Sequence, residues 1–379
     1  MNQALDRDRE HLASVAAAFH PPEAIESIRP LGSGNVNDTY LVRAGGELFV
    51  LQRLNTAVFR QPQRVIRNLQ VLNRHVQGKL QGNPPELRGR RWELPQLVST
   101  RHGGQPWTEC RQGGFWRTIT FVGDAHTVDV IEGTAQAREL GYGLGMFHHL
   151  ISDLPHHQLF DTLEGFHITP HYLDQYTKTL EDPQVPACAH SDRCRAFIRE
   201  REGFVSVLED AKQRGELRLR PIHGDPKINN VMLDRRNGQA VALIDLDTVK
   251  PGLVHYDIGD CLRSCCNPLG EETTDFDAVH FDTALAEAIL TGYLSVARGF
   301  LTATDIDFIV DAVRLISFEL GLRFFSDYLA GSVYFKANHP QHNLHRALAQ
   351  FRLTESIEAQ EGELRKIVER LSCQAGLSS

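Results

Sequence analysis

Three polar side chains with a defined spacing stand in the run PIHGDPKINNVML, which occupies residues 221–233 of this chain. Asp225 follows His223 by two positions, and Asn230 follows Asp225 by five. Phosphoryl transfer from ATP needs a carboxylate that accepts the proton of the attacking hydroxyl and an amide oxygen that binds Mg²⁺. Kinase catalytic loops carry both groups at these intervals. The spacing therefore predicts a catalytic loop with Asp225 as the base.

A second metal ligand is expected from a hairpin that follows this loop. Apolar residues 231–233 and 240–244 flank a turn at residues 234–238, so the pattern predicts two short paired strands. Such a hairpin would return Asp245 to the side of Asn230. A carboxylate and an amide oxygen are ligands that Mg²⁺ accepts, and this pair is predicted to hold the metal.

Lys227 adds positive charge to the same loop, two residues after Asp225. Protein kinases carry a lysine at this place, where its ammonium can contact the γ-phosphate, and a point charge of this kind suits phosphate binding. We therefore predict that Lys227 acts with Asp225 in catalysis. The alternative is a solvated loop lysine.

A glycine-rich turn near the start of the chain could approach a nucleotide. Within the run LGSGNVNDTY, Gly32, Ser33 and Gly34 let the backbone come close to phosphates, and Asn37 tolerates left-handed geometry. Taken alone the run predicts only a turn, and the catalytic loop downstream is what favours nucleotide binding. It is not a Walker A loop, because no Gly-Lys-Ser/Thr follows.

The elements that position these residues fall into two groups along the chain. Residues 1–122 contain a leading amphipathic helix at 4–20, several strands and one strong helix at 62–80. Residues 123–379 are mainly helical, with predicted helices at 135–150, 170–180, 193–214, 275–297, 304–328 and 341–371. The predicted fold class is α+β, with a small β-rich lobe for the nucleotide and a larger helical lobe for the catalytic loop and acceptor.

Composition argues against several classes of protein. The chain has 379 residues and a formal net charge of −8, which disfavours nucleic acid or an anionic membrane as the main partner. No stretch reaches the roughly 18 apolar residues of a membrane span, and the first residues lack the apolar core of a signal peptide. The seven cysteines have no metal-site spacing. We expect a cytoplasmic enzyme with a small-molecule substrate and no obligatory protein partner.

Longer runs give the chain a family resemblance. It resembles the aminoglycoside phosphotransferase/choline kinase superfamily, which has the bilobal protein-kinase-like fold, and is most similar to its N-acetylhexosamine 1-kinases. The resemblance spreads over most of the chain and rests on the runs GSGNVNDTYLV, FVLQRLN, FWRTITFV, HGDPKINNVMLD, IDLDTVKPGLVHYDIGDCLRS, ELGLRFFSDYLAGSVYFK and NLHRALAQFRLTESIE. The catalytic runs are shared by the superfamily, whereas PGL-x-x-YD-x-GD-x-x-R and ELGLRF are closer to the hexosamine kinases.

The resemblance implies a kinase that uses ATP and Mg²⁺, and it assigns further residues. Asp225 would face the sugar hydroxyl, and Arg323 and Tyr334 would contact the hexose. The strand that ends with Phe121 and Val122 would bind adenine through its backbone. The implied reaction phosphorylates the anomeric hydroxyl of N-acetylglucosamine or N-acetylgalactosamine, within carbohydrate metabolism.

The segment expected to face the phosphates departs from the protein kinases. Those enzymes place a lysine on the third strand and pair it with a glutamate in the following helix. Here the strand carries Gln52 and Arg53, either of which could face the phosphates, and residues 61–80 contain no Asp or Glu. A neutral Gln52 would need no acidic partner, whereas an inward Arg53 would need one from elsewhere. Gly224 before Asp225 departs from the hexosamine kinases, which bears on acceptor choice.

The same residues bear on the alternative functions of this chain. Asp257 follows Asp245 by only twelve positions, which leaves no room for the long activation segment of a protein kinase. Asp257 itself is predicted to be structural, pinning the catalytic loop or capping a helix start. A non-catalytic nucleotide-binding scaffold would lack Asp225, Asn230 or Asp245, and all three are present. An aminoglycoside, choline or homoserine-type alcohol stays open as the acceptor, and GTP as the nucleotide.

Overall fold

The computed structural model describes residues 10–32, 36–110, 113–181 and 188–377. The first lobe is built on one antiparallel sheet, whose strands are β1 (Ile25–Pro30), β2 (Asp38–Ala44), β3 (Glu47–Leu54), β4 (Leu97–Val98), β5 (Thr108–Glu109) and β6 (Phe115–Thr120). Their order is β1-β2-β3-β6-β4, and β5 also pairs with β6. The β2–β3 hairpin turns at Gly45 and Gly46, whose φ angles of +60° and +80° favour glycine.

A helix packs on the outer face of this sheet. The backbone is helical over residues 10–16 (α1), and positions 4–9 of the predicted helix lie outside the described residues. Val15 and Phe19 are buried against Leu51 and Trp116 of the sheet. Because side chains alternate along a strand, the neighbours of Leu51 and Trp116 point to the opposite face, toward the second lobe.

Helix α2 (Pro62–Gln81) connects the two lobes. Proline at the first helical position suits a helix start, and the helix predicted for residues 62–80 is confirmed. Asn68 is buried in the helix, and its amide nitrogen donates to the carbonyl oxygens of Phe160 and Val249 at 2.8 and 2.9 Å. These bonds satisfy the buried amide and fix α2 to segments of the second lobe.

The second lobe contains two small sheets. Its strands are β7 (Ala125–His126), β8 (Arg220–Ile222), β9 (Val231–Asp234), β10 (Ala240–Leu243) and β11 (Lys250–Gly252), in the orders β10-β9-β7 and β11-β8. The predicted hairpin after the catalytic loop is therefore confirmed as β9 and β10. The predicted boundary between the lobes, after residue 122, stays a prediction. In the structure the chain leaves the first sheet after β6 and enters the second lobe at β7.

Helices make up most of the second lobe. They are α3 (Thr134–Ile151), α4 (Thr169–Thr179), α5 (Ala189–Arg199), α6 (Val207–Gln213), α7 (Val254–Cys265), α8 (Thr283–Ala297), α9 (Ala303–Asp307), α10 (Ile309–Leu329), α11 (His342–Ala359) and α12 (Glu361–Ala375). The predicted bilobal α+β class is confirmed. Within the described ranges, each helix is too short or too polar to cross a membrane.

Several predicted helices are divided in the structure. Residues 193–214 form α5 and α6, because a turn that contains Gly203 separates them. Residues 341–371 form α11 and α12, and the break falls at Gln360, whose side-chain amide donates to the Phe281 carbonyl oxygen at 2.9 Å. The segment 304–328 likewise divides into α9 and α10, and 275–297 is α-helical only from the start of α8. Helix α7 is absent from the predicted set, because buried polar residues interrupt its apolar pattern.

Helices α3 and α8 pack closely enough for their backbones to touch. A Cβ atom on Gly141 would lie 1.9 Å from the carbonyl oxygen of Ile289, and one on Gly292 would lie 1.9 Å from that of Arg138. Two residues after Gly141 on α3, a Cβ atom on Gly143 would lie 2.9 Å from the side chain of Val231 on β9. The helix pair therefore supports the hairpin that follows the catalytic loop.

Gly141→Ala is expected to lower the free energy of unfolding by about 2–3 kcal/mol, because the two backbones leave no space for a methyl group. Urea unfolding followed by circular dichroism measures the change. Gly78→Ala in α2 is the matched control, because a Cβ atom there meets nothing within 4 Å. The control should stabilise the protein by less than about 1 kcal/mol. Equal effects of the two substitutions would contradict the close contact.

Candidate active site

The catalytic loop leaves β8 at Ile222 and reaches β9 through a single helical turn at Ile228–Asn230. His223 is fully buried, and burial lowers its pKa, so the ring is neutral at pH 7. Its Nε2 donates to the Ile244 carbonyl oxygen at 2.9 Å, and its Nδ1 accepts from the Asp225 amide at 3.2 Å. The neutral ring therefore ties the start of the loop to the segment after β10.

A buried carboxylate holds the backbone of the same loop. Asp257, in the first turn of α7, accepts hydrogen bonds from the His223 and Gly224 amides at 2.6 and 2.8 Å. One Asp257 oxygen also contacts His148 at 2.8 Å, and the other ring nitrogen of His148 lies 2.9 Å from the Tyr293 hydroxyl. Gly224 has a φ of +89°, and a Cβ atom there would lie 2.6 Å from a backbone oxygen. Asp257 thus fixes a tight bend that only glycine fits.

The side chain of Asp225 is partly exposed, and two neighbours orient it. Lys227 Nζ lies 2.9 Å from Asp225 Oδ2, and Asn230 Nδ2 donates to the Asp225 carbonyl oxygen at 2.7 Å. The Asp225 carboxylate raises the pKa of Lys227, and Asp245 adds to this, so the ammonium stays charged. The loop therefore presents an ammonium and an amide that each lie within hydrogen-bond distance of Asp225.

Asp245 follows the hairpin in a left-handed conformation, with a φ of 62° and a ψ of 56°. The Ile244 amide donates to the Asn230 carbonyl oxygen at 2.9 Å, which brings Asp245 beside Asn230. The carboxylate reaches solvent and forms no hydrogen bond or ion pair with any described residue. Desolvation by the surrounding protein, together with the charges of Asp247 and Asp225, raises the pKa of Asp245 to about 6. A nearby cation would relieve this repulsion.

Asn230 and Asp245 fit a divalent cation. The Asn230 amide nitrogen is turned toward Asp225, which leaves the amide oxygen for a metal. Mg²⁺ commonly binds one or two protein oxygen ligands together with phosphates and water. The described residues contain no cluster of three or more His, Cys, Asp or Glu side chains that could hold a metal. A metal at this position would therefore share its coordination with a substrate.

The glycine-rich turn is described in part. Gly32 has a φ of +71°, which favours glycine, whereas Ser33 and Gly34 lie outside the described residues. Asn37 is buried, and its amide nitrogen donates to Asp247 Oδ2 at 2.7 Å. The end of the turn is thereby fastened to the segment of the second lobe that follows the hairpin.

The predicted adenine-binding segment follows β6. Val122 is buried in an apolar cluster whose other members are Ala125, Met232, Val241 and Ala242, with Ile244 at its edge. Phe121 is partly buried beside it. The cluster joins the connection between the lobes to the β9–β10 hairpin, so an apolar wall stands next to the candidate metal ligands.

Of the two candidate residues on β3, only Gln52 points toward the second lobe. Its side-chain oxygen accepts from Arg117 Nε at 3.0 Å and from Arg117 Nη2 at 2.7 Å. Arg53 lies on the opposite face, is 49% exposed and is 3.9 Å from Asp38. The structure does not bring Arg53 to the cleft, because strand alternation turns it away.

Arg117 is not among the residues predicted from the sequence. It lies on β6 directly opposite Gln52, is 2% exposed, and has its Nη2 2.5 Å from Asp247 Oδ1. One sequence feature could have identified it. Arg117 is the single charged residue in the strand-like run FWRTITFV, and a charge in a buried strand needs a partner.

Arg323 and Tyr334, the residues predicted to contact a sugar, lie near the C-terminal end of α10. The Arg323 guanidinium is 4.9–5.5 Å from the ring centres of Phe166, Tyr172 and Phe335. Tyr334 is 60% exposed, and its ring centre lies 4.8 Å from that of Phe335. The structure therefore brings the two predicted residues to one aromatic cluster, of which Phe335 is the shared member.

The loop that carries Tyr334 is held by one buried carboxylate. Asp327 accepts from the backbone amides of Val333, Tyr334 and Phe335 at 3.0, 2.8 and 3.0 Å. The Asn343 side chain donates to the same carboxylate at 2.9 Å. The path of this loop is thus fixed from the end of α10.

A buried histidine joins this side of the cleft to the catalytic loop. His167 Nδ1 lies 3.0 Å from Glu319 Oε1 on α10, and Nε2 lies 2.8 Å from the Gly224 carbonyl oxygen. Both partners are acceptors, so each ring nitrogen carries a proton. Burial alone would lower the pKa of His167, but the Glu319 carboxylate outweighs this effect and raises it. The charged ring therefore connects α10 with the residue before Asp225.

The raised pKa of His167 makes stability depend on pH. The folded state favours the charged ring, so its contribution is fully present below the ordinary pKa of 6.5 and is lost as pH rises through the raised folded pKa. His167→Gln should therefore reduce the loss of unfolding free energy above pH 6.5. Urea denaturation between about pH 6 and about pH 9 measures it. His157→Gln, at an exposed histidine, should follow the wild type, whereas a His167 variant that also did so would contradict the charged link.

Comparison with known proteins supports a kinase-like fold. A microcompartment-associated aminopropanol kinase has a TM-score of 0.61 at 17% identity, over 93% of this chain and 98% of that chain. A choline kinase from Cryptosporidium parvum Iowa II has a TM-score of 0.59 at 12% identity, over 97% and 99%. An aminoglycoside phosphotransferase from Alicyclobacillus acidocaldarius subsp. acidocaldarius DSM 446 has a TM-score of 0.57 at 16% identity, over 94% and 96%. At these identities the likeness supports the fold alone.

The family is given by a separate comparison. The model of the phosphotransferase enzyme family, APH, matches residues 27–300, which include the glycine-rich turn, the catalytic loop and Asp245. Together with the kinase-like fold, this match shows that the chain belongs to the phosphotransferase enzyme family and is a small-molecule phosphotransferase.

Proposed function

We propose that this protein transfers the γ-phosphoryl group of ATP to a hydroxyl group of a small molecule, with Mg²⁺ at Asn230 and Asp245. The observation that carries the proposal is the convergence of Asp225, Lys227 and Asn230 beside a carboxylate, Asp245, that no described residue pairs. Asn230 and Asp245 would hold Mg²⁺, which would supply positive charge to the nucleotide phosphates.

Each residue of the loop has a distinct task in this proposal. Asp225 accepts the proton of the acceptor hydroxyl as its oxygen attacks the phosphorus atom. Lys227 keeps a positive charge within 2.9 Å of Asp225, where the phosphoryl group passes between the substrates. Asn230 holds the Asp225 backbone through its amide nitrogen, and its amide oxygen would bind the metal.

The first lobe would hold the nucleotide. Phe121 and Val122 would bind adenine through their backbone, beside the apolar cluster that contains Val122. The glycine-rich turn, with Gly32, Ser33, Gly34 and Asn37, would cover the phosphates. Gln52 would face them from β3 as a neutral residue, which agrees with the absence of any Asp or Glu from α2.

For the acceptor we propose a neutral sugar, an N-acetylhexosamine phosphorylated at its anomeric hydroxyl. Arg323 and Tyr334 offer hydrogen-bond donors and aromatic faces, which suit the two sides of a sugar ring. Nearby acidic groups are already paired, since Glu319 contacts a histidine and Asp260 contacts Arg263 at 2.7 Å. A cationic acceptor would instead meet the charge of Arg323, so a neutral polyol is favoured.

An ADP- or GDP-release screen tests the acceptor and the nucleotide together. ATP and GTP would be offered with N-acetylhexosamines, plain hexoses, choline, homoserine and aminoglycosides, and phosphorus NMR would locate the new phosphate. Turnover led by an N-acetylhexosamine, with a 1-phosphate product, is expected. Higher turnover with a cationic acceptor would show that the acceptor is not a neutral sugar. Nucleotide binding without turnover on any alcohol would favour the non-catalytic scaffold.

Asp225→Asn should lower kcat by about 10²–10⁴-fold, because the amide cannot accept the hydroxyl proton. ATP affinity should stay near the wild-type value, since Asp225 serves the acceptor. Steady-state kinetics and ATP titration measure the two quantities. Asp277→Asn, at an exposed position away from the loop, is the control and should leave both unchanged. Near-normal kcat in the Asp225 variant would remove this residue from the role of base.

Arg323→Gln should raise the acceptor KM by about 10- to 100-fold, because a hydrogen bond from a charged donor is lost. The KM for ATP should not change. Arg365→Gln on α12 removes an arginine whose ion-pair partners among the described residues are Asp311 and Glu361, and it should leave both constants as they are. A rise confined to the KM for ATP would show that Arg323 does not belong to the acceptor site.

A further inference from the structure

Two side chains of the first lobe contact one carboxylate of the second lobe, and a third side chain is bound to one of them. Arg117 Nη2 lies 2.5 Å from Asp247 Oδ1, and Asn37 Nδ2 lies 2.7 Å from Asp247 Oδ2. The side-chain oxygen of Gln52 accepts hydrogen bonds from Arg117 Nε and Nη2, so Gln52 is linked to Asp247 through Arg117. Asp247 is 2% exposed and comes two residues after Asp245. The buried guanidinium of Arg117 therefore lies between the end of the glycine-rich turn and the segment that carries Asp245.

The arginine is not fully satisfied by these partners. A guanidinium has five N–H donors, and the Nη1 atom of Arg117 is buried without a hydrogen-bond partner among the described residues. An unpaired buried donor costs free energy, so its retention calls for an acceptor that arrives with a ligand. Phosphate oxygens bound under the glycine-rich turn are acceptors of that kind, and a hydrogen bond between a guanidinium and a phosphate is strong because both groups are charged.

Resting on the proposed kinase function, we propose that Arg117 supplies to the nucleotide phosphates the positive charge that protein kinases place on the neighbouring strand. The register supports this role, because Arg117 on β6 lies directly opposite Gln52 on β3 and on the same face. In protein kinases the strand lysine pairs with a glutamate of the following helix. Here Asp247 takes the place of that glutamate, and α2 needs no acidic residue.

A ladder of nucleotide ligands tests the proposal. Calorimetric titration of the full-length protein with adenosine, ADP and ATP, each with Mg²⁺, measures how much each phosphate contributes to affinity. Arg117→Met should weaken ADP and ATP by about 10- to 100-fold and leave adenosine unchanged. Arg117→Lys should restore part of the loss, because it keeps the positive charge but loses the fixed planar geometry of the guanidinium.

The matched variant is Arg117→Met with Asp247→Asn, which removes both charges and leaves no unpaired buried carboxylate. It keeps the test valid where the single variant fails to fold, as judged by thermal unfolding. An equal loss of affinity for all three ligands, or no loss for any, would show that Arg117 has a structural role and does not bind the phosphates. A wild type that binds ATP no better than adenosine would instead overturn the proposed kinase function, so the two failures are distinguishable.

Discussion

The carboxylate of Asp257 is the contact on which the rest of the site depends. It accepts from two successive amides of the catalytic loop, at His223 and Gly224, and it is itself held by His148. Two adjacent N–H groups can reach one carboxylate only if the backbone bends sharply, and here Gly224 makes the bend. The bend turns the next side chain, Asp225, outward while His223 stays buried.

From this point the loop is tied in two directions. The Gly224 carbonyl leads through His167 to Glu319 on α10, the helix that also carries Arg323. The His223 ring leads through the Ile244 carbonyl to the end of the hairpin and so to Asp245. The helix that carries Arg323 and the segment that carries Asp245 are therefore both fixed to one bend, and each connection uses a backbone carbonyl and a histidine.

Local patterns predicted the parts of this arrangement that are close in sequence. The spacing of His223, Asp225 and Asn230 predicts the loop, and the apolar runs beside it predict the β9–β10 hairpin, because both are formed by neighbouring residues. The two lobes follow from the change between strand-like and helical patterns. The roles assigned to the site residues remain predictions, and for Ser33 and Gly34 the described residues give no placement.

Contacts between distant segments could not be predicted in this way. Arg117 meets Asp247 across the lobes, and His167 meets Glu319 more than a hundred residues later in the chain. A single arginine or histidine in the sequence gives no indication of its partner, because burial and pairing are decided by the tertiary fold. The same holds for the break at Gln360, which depends on a bond to Phe281.

The Asp327 carboxylate has a consequence for how the proposed acceptor site could change during evolution or engineering. The loop with Tyr334 is held by hydrogen bonds from three backbone amides to this carboxylate, and any residue type except proline has such an amide donor. Side chains on this loop can be exchanged while its path is kept. Changes on α10 near Glu319 have no such freedom, because they pass through His167 to the catalytic bend. One side of the proposed acceptor site can thus change in sequence, and the other is constrained by its connection to the catalytic loop.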